Sequence, residues 1–287
     1  MTAKKNNNSK GLGIKTRRVI SYIVFIFMTF LCLFWFYVLF INATRSHGDL
    51  TKGFKPFPST NLMTNWKNLV EGTLPIWSGL KNSVIVSGCS AVLSTYFSTM
   101  TAYAIHAYRF RFKKAMFTFI LMIMMIPTQV TALGFIQLVS KMNLENSLIP
   151  LIVPTVAAPI TFYYMKQYME SNLPLALVEA ARIDGSGEFR TFNSIVIPLM
   201  KPAIAVQMIF TFVNSWNNYF TPALILHKDV TKTLPILIAQ LRSADFLKFD
   251  MGQVYVMIAF SILPVIVVYL LLSRFIVQGV AMGSVKG

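Results

Sequence analysis

Three of the ten carboxylates in this 287-residue chain lie within one stretch of eleven residues, EAARIDGSGEF, at positions 179–189. Two carboxylates that face one cleft can act as a general acid and a general base. On a helix, however, Glu179 and Asp184 point about 140° apart, because each residue turns the helix by about 100°. The spacing therefore argues against an acid–base site.

Other catalytic and ligand-binding patterns are missing from the sequence. The phosphate-binding motif GxxxxGK[ST] does not occur, and the nearest match, GLGIKT at 11–16, lacks the glycine before its lysine. The three histidines are scattered, and Cys32 and Cys89 have no metal-ligand spacing. We expect no catalytic residue, no metal ion and no bound cofactor in this chain.

The composition is that of a membrane protein. The chain is 55% hydrophobic with a mean hydropathy of +0.60, which is too apolar for a solvated exterior. Six runs of 20 to 27 residues contain no Lys, Arg, Asp or Glu, and about 20 helical residues cross a hydrocarbon core. We predict an all-α integral membrane protein whose six transmembrane helices span about 19–41, 82–105, 115–136, 146–166, 202–225 and 252–274.

The cations predict the orientation of these helices. Sixteen of the 26 Lys and Arg residues fall in alternate segments between the runs, namely 1–18, 109–114, 166–201 and 274–287. Because Lys and Arg are retained on the cytoplasmic side, both termini are expected in the cytoplasm. The net charge of +16 then reflects topology and attraction to anionic lipid rather than nucleic-acid binding. The predicted organisation is a basic tail at 1–18, a transmembrane domain at 19–277 that contains a cytoplasmic loop at 167–201, and a cytoplasmic tail at 278–287.

The runs themselves contain hydroxyl, amide and aromatic groups but no charged ones. Ion-coupled carriers usually place ionisable groups inside the membrane, so the chain is expected to form a passive path that needs an external motor. In the fifth run, polar residues recur at i, i+4, i+7 and i+11, which places them on one helix face. These residues are Gln207, Thr211, Asn214 and Asn218, with Trp216, Asn217 and Tyr219 beside them.

Amides beside aromatic faces suit a neutral, polyhydroxylated solute, and these seven residues are candidates for its path. Hydrogen bonding between packed helices explains the same polar stripe equally well. Gln129 is a further path candidate, because it lies in the middle of the third run near Pro127, where a kink is predicted.

The polar stretch that opened this section falls in the cytoplasmic loop. Its pattern predicts a short helix over LALVEAARID, ended by Gly185, and a second helical segment that runs to Pro198. Glu179 and Arg182 are spaced to pair on the first helix. Ala180 and Ala181 have small side chains, so a partner protein can approach the backbone closely there.

This loop resembles the coupling loop of permease subunits of ATP-binding cassette (ABC) importers. The family pattern is EAA, then Gly, then I-x-L-P, and it is matched here by EAARIDG followed by IVIPLMKP. Other stretches are similar to the second permease of the carbohydrate branch, which is related to the maltose importer: NLMTNW at 61–66, IPTQVTAL at 126–133, WNNYFTPALIL at 216–226 and the tail GVAMGSVKG.

The resemblance implies a type I ABC importer permease fold in the prokaryotic cell membrane. The implied partners are an ABC ATPase dimer, which carries ATP and Mg²⁺, a second homologous permease and an extracytoplasmic solute-binding protein. The implied ATPase-coupling residues are Glu179, Ala180, Ala181, Arg182, Asp184, Gly185 and Pro198. Gly283, Lys286 and Gly287 match a carboxy-terminal tail that contacts the ATPase.

The match to the family is incomplete, and other functions remain open. ALVEAA lacks the acidic residues that usually precede EAA, and Gly134 stands where a proline is common. The expected cargo is a sugar or oligosaccharide. The alternatives are an ABC importer permease for another polar solute and a facilitator that works without ATP.

Overall fold

The computed structural model describes the backbone of residues 8–243 and 249–283 and the side chains of residues 13–243 and 249–276. All regular elements in this part of the chain are helical, as predicted. The helices of nine or more residues are α1 (Asn8–Ala43), α2 (Leu62–Val70), α3 (Ile76–Ala107), α4 (Lys113–Ile123), α5 (Thr128–Lys141), α6 (Pro159–Asn172), α7 (Leu175–Ile183), α8 (Ile197–Trp216), α9 (Leu234–Arg242) and α10 (Met251–Gly283).

Four helical stretches are long and apolar enough to cross a membrane: Gly13–Ala43, Ile76–Ala107, Glu188–Ala223 and Met251–Ile276. A fifth candidate is the pair α4 and α5, whose axes differ by 94°. The helices therefore account for four or five crossings by length and composition, and the six-span topology stays a prediction.

The bend between α4 and α5 lies at the kink predicted at Pro127. Pro127 precedes the first residue of α5 with an extended backbone, φ −63° and ψ 134°. Its ring nitrogen carries no proton for a helical hydrogen bond, so α4 cannot continue through it. The predicted span at 115–136 is therefore two short helices rather than one.

The predicted span at 146–166 is also interrupted. A four-residue helix, Ile149–Ile152, is followed by a 3₁₀ turn, Val153–Val156, before α6 begins. A proline lies in the first turn of each of these three elements, at Pro150, Pro154 and Pro159. A proline is tolerated in a first turn and breaks a helix interior, so this segment forms three successive helical elements.

The last two predicted spans differ from the structure mainly at their ends. Before α8 the chain is already helical, through Glu188–Thr191 and a π-helical turn at Phe192–Val196, and α8 ends at Trp216. The final helix α10 continues to Gly283, past the predicted start of the tail at 278. Lys286 and Gly287 lie outside the described residues.

The chain divides into two units, and the smaller one contains residues 1–71 and 245–259. Within it, the buried Asn65 side chain donates from Nδ2 to the carbonyl oxygens of Ala43 (3.0 Å) and Arg45 (2.7 Å). A Cβ on Gly252 would lie 2.8 Å from the Arg45 carbonyl oxygen. A glycine is therefore needed where α10 begins.

The larger unit, residues 72–244 and 260–287, is built around α3. Helices α6 and α8 pack against α3, whose Ser87, Ser90 and Ser94 are completely buried. Small side chains allow helix backbones to approach each other closely, which favours close packing of helices in lipid. The small buried serines of α3 thus allow α6 and α8 to pack closely against it.

Candidate coupling loop and membrane cavity

Helix α7 ends as the sequence predicts, at Gly185. The amide of Gly185 donates to the Arg182 carbonyl (3.1 Å), and the amide of Ser186 donates to the Ala181 carbonyl (2.9 Å). These two bonds form a Schellman cap, in which the residue after the helix adopts a left-handed backbone. Gly185 has φ +75°, a conformation that costs little for glycine and is strained for other residues.

Beyond the cap, the Glu188 carboxylate accepts hydrogen bonds from one residue of α7 and one residue of α3. Arg182 Nε donates to one carboxylate oxygen of Glu188 (2.7 Å), and the Tyr103 hydroxyl donates to the other (3.1 Å). The Arg182 guanidinium also lies 5.1 Å from the ring centroid of Tyr108. We call these four residues the loop clasp; it joins α7 to the carboxy-terminal end of α3.

Electrostatics in the loop clasp follow from these contacts. The hydrogen bond to Glu188 raises the pKa of Arg182 above its usual value. Burial raises the pKa of Tyr108, so its hydroxyl is neutral. The predicted pair between Glu179 and Arg182 does not form, because Arg182 pairs with Glu188; Glu179 makes no ion pair with any described residue.

The remaining coupling candidates divide between the two faces of α7. Val178 and Ala181 are buried, and Val178 belongs to a core cluster that includes Met169 and Met200. Ala180 is exposed and Ala181 faces the core, so Ala180 presents the more accessible side of α7; the coupling role of both alanines stays a prediction. Glu179, Asp184, Gly185 and Pro198 are exposed as well.

Two large apolar side chains stand out from the same loop. Ile183 is 86% exposed and Phe189 is 73% exposed. Large apolar groups this exposed usually mark a contact surface. The sequence analysis missed both residues as candidates; their apolar character in an otherwise polar stretch was the available signal.

A second feature is a cavity of about 820 Å³ among α3, α5, α6 and α8. Its wall includes Gln207, Thr211, Asn214 and Asn218, the four members of the predicted stripe. All four side chains of the stripe therefore border one cavity. No Asp, Glu, Lys, Arg or His side chain is among the described residues that line it.

The other predicted path residues lie off this cavity. Trp216 is 3% exposed, stacks on Phe212 at 5.6 Å and donates from Nε1 to the Ser261 carbonyl (3.1 Å). It acts as a packing residue. Asn217, Tyr219 and Gln129 are exposed and do not line the cavity.

The cavity has polar wall residues that sequence reasoning did not single out as path residues. They are Ser90 and Ser94 of α3, Thr128 and Thr131 of α5, and Tyr164 of α6. The serines recur every three or four residues along α3, a spacing that indicates one helix face. The spacing could not show that this face borders a cavity, because that depends on where α5 and α8 lie.

Comparison with known proteins identifies the family. The family described as "Binding-protein-dependent transport system inner membrane component" matches residues 94–282, which is more than half of the chain. The chain belongs to this family. The protein is therefore a permease component of a binding-protein-dependent ABC transport system and a multi-pass protein of the cell membrane, as predicted.

Individual members of the family match almost the whole chain. The arabinooligosaccharides transport system permease protein AraQ of Halalkalibacterium halodurans is 32% identical, over 95% of this chain and 99% of its own. The sn-glycerol-3-phosphate transport system permease protein UgpE of Yersinia pestis is 29% identical, over 95% of this chain and 97% of its own. Both names describe permeases, in agreement with a subunit that does not itself catalyse a reaction.

A solved structure supports the fold. One chain in the crystal structure of a bacterial ABC transporter involved in the import of the acidic polysaccharide alginate matches with a TM-score of 0.77. The match covers 95% of this chain and 99% of that chain at 20% sequence identity. At this identity the likeness shows the fold alone, which is that of an ABC importer permease.

Proposed function

We propose that this permease forms half of a pore, with a second homologous permease as the other half. In this proposal an ATPase dimer binds the loop around α7, and a solute-binding protein delivers the cargo from outside. ATP and Mg²⁺ bind to the ATPase, and this chain contributes no catalytic group. The chain crosses the membrane six times with both termini in the cytoplasm.

The coupling role rests on one observation: one face of α7 packs against the protein, and the opposite face is exposed. Val178 anchors the buried face, while Ala180 and Ile183 are exposed on α7 and Phe189 is exposed beyond the turn. A short helix with exposed apolar groups fits the helix-in-groove mode of binding. The open face is thus suited to a cleft on the ATPase.

Movement of α7 would reach the pore through two connections. The loop clasp links α7 to α3, and the helical stretch from Glu188 leads directly into α8. Packed elements move as bodies when an interface closes, so closure of the ATPase dimer on ATP would shift α3 and α8. Both helices border the cavity. The carboxy-terminal residues Gly283, Lys286 and Gly287 are proposed as a second ATPase contact.

The proposed cargo is a sugar or oligosaccharide. The relative AraQ is named for arabinooligosaccharides, and amide and hydroxyl groups line the cavity. Another polar solute is the second candidate, because the relative UgpE is named for sn-glycerol-3-phosphate. A facilitator without an ATPase is disfavoured, because it gives the exposed face of α7 no role.

Gly185→Asp tests the coupling role. An aspartate at φ +75° is strained, so the cap is distorted and the open face of α7 is misplaced. We expect the variant to insert normally but to lose ATP-driven uptake and co-purification with the ATPase. Gly187→Ala is the matched control, since Gly187 has φ −65° and nothing lies within 4 Å of a Cβ there. Full uptake by Gly185→Asp would refute the coupling role.

A further inference from the structure

The segment at 51–58, which follows α1 and the short turn after it, exposes apolar side chains. Its sequence is TKGFKPFP, its backbone is irregular, and every one of its residues is exposed. Phe54 is 50% exposed and Phe57 is 75% exposed. Large apolar side chains that are exposed together indicate a contact surface.

Hydrogen bonds to the segment hold its backbone in this position. Arg45 Nη2 donates to the Phe57 carbonyl oxygen (2.9 Å). The hydroxyl of Tyr37, a residue of α1, donates to the Pro56 carbonyl oxygen. The backbone is thus attached to the protein while the Phe57 side chain stays exposed. The outward position of this ring is therefore set by the fold.

The attachment points show that the segment turns back along α1. Tyr37 and Phe34 lie about 9 and 14 Å before Ala43, the last residue of that helix, because a helix rises 1.5 Å per residue. The Phe34 ring meets the Phe54 ring edge to face, with 6.4 Å between the centroids. The segment therefore runs beside the apolar part of the helix and does not extend away from it.

The length of α1 places this contact at the boundary of a membrane. As a helix, the charge-free run at 19–44 is about 39 Å long, and a hydrocarbon core is about 30 Å thick. With one boundary of the core at the start of the run, the other falls about 9 Å before its end, close to Tyr37. Trp35 and Tyr37 fit this level, because Trp and Tyr are enriched at membrane–water boundaries.

The charges of the segment match a phospholipid surface. Lys52 and Lys55 lie on either side of Phe54, and the segment contains no carboxylate. Neither lysine forms an ion pair with a described residue. A lysine at a membrane boundary covers apolar surface with its stem and extends its ammonium group to the phosphates, which water still reaches. Apolar rings beside such lysines favour the acyl chains.

We propose that residues 51–58 form an interfacial anchor in the phospholipid leaflet next to the carboxy-terminal end of α1. Phe54 and Phe57 enter the upper part of the acyl chains, and Lys52 and Lys55 contact the lipid phosphate groups. The anchor fixes the depth of this end of α1 in the membrane. It depends on α1 as a membrane-crossing helix and needs neither an ATPase nor a cargo.

Fluorescence quenching tests the anchor in the intact transporter, reconstituted into vesicles of phosphatidylethanolamine and phosphatidylglycerol. Phe57→Cys is introduced into a chain with Cys32→Ala and Cys89→Ala and labelled with the small dye nitrobenzoxadiazole. We expect lipids that carry a nitroxide on the acyl chain to quench this dye. Acrylamide, which stays in the water, should quench it severalfold less than at an exposed control position.

Lys67→Cys is the matched control for this measurement. Lys67 belongs to the same unit of the chain, its side chain is 67% exposed, and it forms an exposed ion pair with Glu71. A dye at this position should be quenched by acrylamide and not by the acyl-chain nitroxide. Equal acrylamide quenching at positions 57 and 67 would overturn the proposal.

A solute-binding protein is the competing occupant of this surface. If lipid covers Phe57, an excess of that protein should leave the fluorescence at position 57 unchanged. If the dye is open to acrylamide in the vesicles and becomes protected only when the binding protein is added, the segment is a protein contact and the lipid anchor is wrong.

Charge reversal tests the contact with phosphate. Lys52→Glu together with Lys55→Glu places two carboxylates at the level of the phosphates, so acrylamide quenching at position 57 should rise severalfold. Arginine at both positions should keep the original value. Unchanged quenching in the charge-reversed chain would contradict the phosphate contact. These measurements need no uptake and no ATP hydrolysis, so their failure is distinct from a failure of the proposed function.

Discussion

At the residue scale, two glutamates of the coupling loop have different surroundings. Glu188 accepts hydrogen bonds from Arg182 and Tyr103 and belongs to the loop clasp. Glu179 is exposed and makes no ion pair with a described residue. One carboxylate therefore holds the loop in place, and the other is available to a partner.

This difference predicts opposite effects for two alanine variants. Glu188→Ala removes the acceptor of both hydrogen bonds, so amide hydrogen exchange in residues 185–190 should accelerate severalfold. Glu179→Ala should leave that exchange unchanged and weaken co-purification with the ATPase. Hydrogen-exchange mass spectrometry of the two purified variants gives the comparison. Equal exchange rates in both variants would show that the loop clasp does not order the loop.

The residue scale also shows a limit of helical spacing. Residues three apart on α7 are close enough to pair, and this led to the prediction of a Glu179–Arg182 bond. Arg182 bonds instead to Glu188, which lies beyond the turn at Gly185. The left-handed backbone of Gly185 turns the chain so that Glu188 reaches Arg182. Helical spacing within α7 cannot predict a partner that lies beyond the end of the helix.

At the element scale, prolines decide where the apolar segments break. Charge-free length predicted a continuous span at 146–166, but Pro150, Pro154 and Pro159 divide it into three helical pieces. Hydropathy measures how apolar a segment is and carries no information on missing amide protons. The kink at Pro127 was predicted because the proline itself was considered.

Glycine at the start of α10 gives a prediction at this scale. In Gly252→Ala the new methyl group would lie 2.8 Å from the Arg45 carbonyl oxygen and 2.6 Å from Asn65 Nδ2, so the backbone must shift. Overpacking of this kind costs about 1–3 kcal/mol. We expect a lower Tm for the purified chain in detergent.

Gly88→Ala is the control for this experiment, since nothing lies within 4 Å of a Cβ at that position on α3. Alanine favours a helix over glycine, so its Tm should be unchanged or higher. A Gly252→Ala protein as stable as the wild type would show that α10 does not need to approach Arg45 so closely.

At the scale of the whole molecule, the chain leaves much apolar surface uncovered. In α1, Phe25 and Trp35 are 67% and 70% exposed, and the most apolar part of that helix has no buried residue. Water does not solvate such a surface favourably. A lipid bilayer can cover such a surface, which agrees with a multi-pass membrane protein.

The proposed topology is tested with single cysteines in a chain that lacks Cys32 and Cys89. Lys55 and Arg190 are both exposed and lie in segments predicted on opposite sides of the membrane. In intact cells, a membrane-impermeant maleimide should label Lys55→Cys and leave Arg190→Cys unlabelled until the membrane is opened. The reverse pattern would invert the proposed orientation.

The sequence by itself determined the membrane class, the family resemblance, the helix end at Gly185 and the polar face of α8. Each of these depends on composition or on neighbours within a few turns of one helix. The tertiary structure decided which of the predicted polar residues border one cavity, and that Trp216 and Ala181 are buried. These features depend on contacts between segments far apart in the chain, such as Trp216 with Ser261. Such contacts are set by packing among several helices, and no local pattern contains them.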